Sequence, residues 1–108
     1  MIRRALIGVK ARTLGEARIL VEKLLQIQLQ EGEGIYNGGL YYSLPLPDGS
    51  VRLRNNIDLD GGIDPADHLV EPNFPNHKFL LYLEPTDNLA TRLKKLEDSE
   101  HFDLLRLD

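Results

Sequence analysis

Residues 51–60 read Val-Arg-Leu-Arg-Asn-Asn-Ile-Asp-Leu-Asp, and no other run constrains the fold as tightly. In an extended chain Val51, Leu53, Ile57 and Leu59 fall on one side, and Arg52, Arg54, Asn56, Asp58 and Asp60 on the other. A strand with one apolar and one polar side belongs to an antiparallel sheet packed on one face. The turn signal Pro47-Asp48-Gly49-Ser50 precedes this strand. Before the turn, Leu40, Tyr42, Leu44 and Leu46 alternate with the residues between them, so the two segments form a hairpin. Pro45 has no N–H for a ladder, which places its strand at an edge or turns the proline outward.

The remaining elements follow from their periods. Ala5–Val9 is a short apolar run bounded by charge and reads as a buried strand. Thr13 and Glu16 have capping-box spacing at a helix start. Leu14, Ala17, Val21, Leu24 and Gln28 then trace one helical face, widened by Ile19, Leu25 and Leu29, and Glu31-Gly32-Glu33-Gly34 supplies the stop. A stripe this broad suits deep burial or a homodimer interface. Residues 61–77 form a long irregular stretch with Pro65, Pro72 and Pro75. Lys78–Leu83 is apolar on both sides, as in a central strand. Thr86 or Asp87 caps a second helix carrying Leu89, Leu93 and Leu96, and Phe102–Leu107 is the last strand. The expected order is β-α-β-β-β-α-β. This is a single α+β domain over 1–108: a mainly antiparallel five-stranded sheet with two helices on one face, a ferredoxin-like variant. Tyr41, Ser43, Arg52, Arg54, Asn56 and Asp58 would then decorate an open opposite face.

Composition narrows the chemistry. With no Cys, thiol catalysis, iron–sulfur clusters and thiolate zinc sites are excluded. A net charge of −4 argues against a general nucleic-acid binder. The apolar run after Arg3 and Arg4 is shorter than a signal-peptide core, and no window approaches a membrane span, so a cytoplasmic protein is expected. His68, His77 and His101 have no metal-ligand spacing, Ser43, Ser50 and Ser99 sit in no nucleophile motif, and Gly32-Glu33-Gly34 follows a helix where a phosphate loop follows a strand. No catalytic set and no cofactor are expected.

Charge is polarised along the chain. Residues 1–30 sum to +4, and residues 55–87 to −6. Within the acidic part, residues 56–67 match a calcium loop in outline, with oxygen side chains Asn56, Asp58, Asp60, Asp64 and Asp67 at its positions 1, 3, 5, 9 and 12. Asn at the first position, the shorter Asp at the last and the flanking prolines depart from that pattern, and an extended strand cannot also curl around an ion. Strand followed by turn is the expected state, with metal or small-ligand binding by 56–68, including His68, as the alternative.

In size, charge and element order the chain resembles the small acidic immunity proteins of bacterial polymorphic-toxin systems, including those of contact-dependent growth inhibition. The features concerned are the Tyr41–Leu59 hairpin and the acidic Asp58–Glu71 stretch. The likeness is one of format over the whole chain, without a motif, so no family site transfers. It implies a non-catalytic antitoxin that covers a basic toxin domain, such as a nuclease. Asp58, Asp60, Asp64, Asp67 and Glu71 would then provide complementarity, and Tyr41 and Tyr42 anchors.

Overall fold

The computed structural model describes residues 4–34, 39–46, 49–56, 69–84 and 89–107. Its elements are β1 (Ala5–Val9), α1 (Leu14–Leu25), β2 (Gln30–Gly34), β3 (Gly39–Leu46), β4 (Gly49–Asn55), β5 (Phe79–Leu83), α2 (Leu89–Glu97) and β6 (Phe102–Leu107). The strands form one antiparallel sheet in the order β2-β3-β4-β5-β1-β6. The α+β class stands, with six strands among the described residues where five were expected.

The added strand is β2. Thr13 caps α1 as its spacing requires, accepting from the Glu16 N–H at 3.1 Å. The helix ends at Leu25, however, because Gln26 takes up the left-handed conformation (φ 56°, ψ 48°). The N–H groups of Gln26 and Ile27 both donate to the Glu22 carbonyl, a Schellman-type closure without glycine. Glu22 Oε2 then accepts the Leu29 N–H at 2.7 Å, and Arg18 Nη2 donates to the Leu29 carbonyl at 3.3 Å. Arg18 Nε lies 3.4 Å from the same carboxylate, as an ion pair without hydrogen-bond alignment. These contacts aim residues 30–34 along β3, and Glu31-Gly32-Glu33-Gly34 is edge strand where a helix stop was expected. Gly32 is opposite Tyr41, and a Cβ there would stand 2.6 Å from the tyrosine ring. The glycine gives that ring its room.

Period two holds across the sheet. Ala5, Ile7, Val9, Tyr42, Val51, Leu53, Phe79, Leu81 and Leu83 share one face with Ala17, Val21 and Leu25 of α1 and with Leu93 and Leu96 of α2. Both helices therefore cover that face. Pro45 also finds its place: β2 pairs with β3 only as far as Ser43, so the missing N–H lies where β3 has run past its outer neighbour.

The opposite face carries Leu6, Gly8, Arg52, Arg54, Leu80, Tyr82, Asp103 and Arg106. It is not the open surface expected. Leu6 and Leu80 are fully buried there, and Arg54 is buried beside them. A strap, residues 69–78, lies over its middle. The His77 ring packs so closely on Gly8 that a Cβ would overlap it. Residues 57–68, most of the acidic segment, lie outside the described residues.

Candidate functional site

Asn56 follows the last residue of β4 and is almost completely buried. Its N–H donates to the Lys78 carbonyl at 2.8 Å, and its own carbonyl accepts from the Val70 N–H at 2.7 Å. The side-chain amide donates to the Phe74 and His77 carbonyls, each at 2.9 Å, and Oδ1 accepts from the Glu71 N–H at 2.9 Å. A buried amide without partners costs several kcal/mol, roughly, whereas this one is fully engaged. The result is a neck. The chain leaves the sheet at Asn56, passes through residues 57–68 and returns at Val70 to the backbone of the same asparagine.

Two side-chain clusters hold the strap to the sheet. Glu71 accepts the Tyr82 hydroxyl at 2.9 Å and a two-pronged contact from Arg106, with Nη1 at 3.1 Å from Oε2 and Nη2 at 3.4 Å from Oε1. Burial pushes the Tyr82 hydroxyl far above its ordinary pKa, and the bond to the Glu71 carboxylate pushes it further, so the phenol keeps its proton. At the strap's other end, His77 Nε2 is 3.1 Å from Asp103 Oδ2, and Lys10 Nζ is 3.3 Å from Oδ1. A carboxylate only accepts, so the ring proton sits on Nε2. The His77 bond, with Lys10 behind it, holds the Asp103 carboxyl below its ordinary pKa. Phe74 meets the His77 ring edge-on at 6.4 Å between centroids.

The residues singled out from the sequence fall into different surroundings. Asp58, Asp60, Asp64, Asp67 and His68 are outside the described residues. Asn56, first of the calcium-loop positions, has its side-chain oxygen on the Glu71 N–H and closes the neck. Glu71, expected to face a partner, is turned inward onto Tyr82 and Arg106, with its side chain 14% exposed. Tyr42, expected as an interface anchor, is in the helix-side core, with the Arg18 guanidinium 4.7 Å above its ring. An even position in β3 points the same way as Leu40 and Leu44, and that way is inward. Tyr41 is on the strap side of the sheet and half-buried.

Sequence reasoning missed the clamping role of Asn56 and the partnerships of Tyr82, Arg106, His77 and Asp103. One signal was present. Asn56 is a polar residue where a strand gives way to a long irregular segment, a place where backbone groups leave the ladder unpaired. The other four pair across 11 to 35 residues of chain, a separation no local pattern encodes.

Among the described residues there is no group of three or more His, Cys, Asp or Glu side chains that could hold a metal ion. Among them, too, no helix is long and apolar enough to cross a membrane. Comparison with protein-family models, with curated proteins and with solved structures finds no match to this chain.

Proposed function

We propose that this chain is a non-catalytic binding protein, a cytoplasmic immunity protein that neutralises a basic toxin domain. The observation that carries the reading is the neck at Asn56. It holds together the two ends of a twelve-residue segment that contains Asp58, Asp60, Asp64 and Asp67 and no Lys or Arg. Fixing the ends removes part of the entropy such a segment would lose on binding. Four like charges on a fixed base also raise the encounter rate with a basic cleft. Tyr41, half-buried on the strap side of β3, is the aromatic residue this reading assigns as an anchor. The sheet beneath is consistent with a ferredoxin-like arrangement, in which β6-β1-β5-β4 are interleaved and β2-β3 extend the edge.

The test begins with capture of the partner on the tagged chain, identified by mass spectrometry. Association is then followed by stopped flow across ionic strength. The fourfold variant Asp58→Asn, Asp60→Asn, Asp64→Asn and Asp67→Asn should associate about tenfold or more slowly at low salt, with its melting temperature unchanged. An association rate that neither salt nor the fourfold variant alters would overturn the reading.

A further inference from the structure

A concavity lies away from the strap, between α1 and the turn that joins α2 to β6. It encloses about 380 Å³ and is lined by Leu20, Lys23, Leu24, Ser99, His101 and Phe102. Leu20 and Leu24 stand one turn apart on α1, both only partly buried, and the largely buried Phe102 closes the floor. The polar groups belong to the rim. Lys23 and His101 are exposed, and no carboxylate is among the lining residues. Ser99 Oγ accepts the His101 N–H at 3.3 Å, which leaves the hydroxyl hydrogen free to donate outward. In a chain of net charge −4, an apolar hollow whose lining carries the Lys23 ammonium, an imidazole and a hydroxyl donor but no carboxylate favours an anionic head over a cationic one.

We propose that this groove binds a small amphiphilic carboxylate. The alkyl body lies on Leu20, Leu24 and Phe102, and the head sits between Lys23 and His101 within reach of the Ser99 hydroxyl. The volume is at the small end for ligand sites and suits a chain of about eight carbons. A neutral alcohol of the same length would gain the floor and forgo the rim. An amine would meet the Lys23 ammonium. The site shares no residue with the neck at Asn56, so it stands or falls independently of the acidic segment.

The experiment is a titration of the isotope-labelled full chain with sodium octanoate, followed by amide chemical shifts, with octan-1-ol and octylamine as controls. Saturable shifts are expected at the six lining residues with octanoate, roughly tenfold weaker binding of the alcohol, and none of the amine. Lys23→Gln and His101→Gln should each weaken octanoate about threefold or more while leaving the rest of the spectrum in place. The fourfold asparagine variant of the acidic segment should bind octanoate as the parent does. The proposal is overturned by unsaturable shifts spread over the exposed Ile19, Leu104 and Leu107, by the amine binding as well as the acid, or by an affinity that neither rim variant changes.

Discussion

Asn56 shows how one side chain can decide where a segment goes. Its amide makes three hydrogen bonds to strap backbone in a site that water does not reach. Asn56→Ala would remove the amide partner of the His77 carbonyl and of the Glu71 N–H, and leave the Phe74 carbonyl with the His77 N–H alone. The cost should be about 2 kcal/mol or more of unfolding free energy in urea titration, since each buried orphan costs about 1–3 kcal/mol. Gly8 makes a similar case by its lack of a side chain. A Cβ there would overlap the His77 ring, which is itself fixed by Asp103. Gly8→Ala should therefore destabilise the chain by about 1–3 kcal/mol, the usual penalty for forced overpacking. In a His77→Ala background the same change should cost little. A cycle of the four proteins measures that difference, and equal costs in both backgrounds would show that the ring is not what Gly8 accommodates.

At the level of elements, what was legible in the sequence was whatever repeats. The Thr13 cap, the α1 stripe, the 40–46 and 51–55 hairpin and the apolar β5 all announce themselves by period or by turn chemistry. β2 does not. Gln30-Glu31-Gly32-Glu33-Gly34 has no apolar alternation and two residues of poor strand propensity, and it is a strand only because β3 and the end of α1 make it one. The strap was legible as a long irregular stretch, yet its docking was not, because its partners Tyr82, Asp103 and Arg106 lie on two later strands, β5 and β6. The control of β2 by α1 is testable. Glu22→Ala removes the acceptor of the Leu29 N–H. It should cost about 1 kcal/mol and speed amide exchange through residues 30–34, with β1 and β5 unaffected. If protection is lost evenly across the sheet, β2 is not separately tethered.

Taken whole, the molecule has two differently built faces. The helix side is held by apolar packing, which pH does not touch. The strap side is held by Asn56, by Glu71 on Tyr82 and Arg106, and by His77 and Lys10 on Asp103. Among the described residues the helix side carries the single pair of Arg18 with Glu22, whereas Glu71 and Asp103 both tether the strap side, so acid should act there first. Asp103 has a folded pKa below its ordinary value, owing first to the His77 bond and then to Lys10. A depressed carboxylate contributes stability that is fully present above the unfolded pKa, about 3.9, and is lost as pH falls through the lower folded value. In melting curves taken downward from neutral pH, the parent should hold its stability to about pH 4 and then decline. Asp103→Asn cannot titrate, so it should begin lower at neutral pH and show a shallower acid decline, the two curves converging below the folded pKa. Amide exchange should place the acid-sensitive opening in residues 69–78, ahead of the helix-side core. Parallel curves for parent and variant would assign the acid sensitivity to other carboxylates, and with it the strap's hold on the sheet.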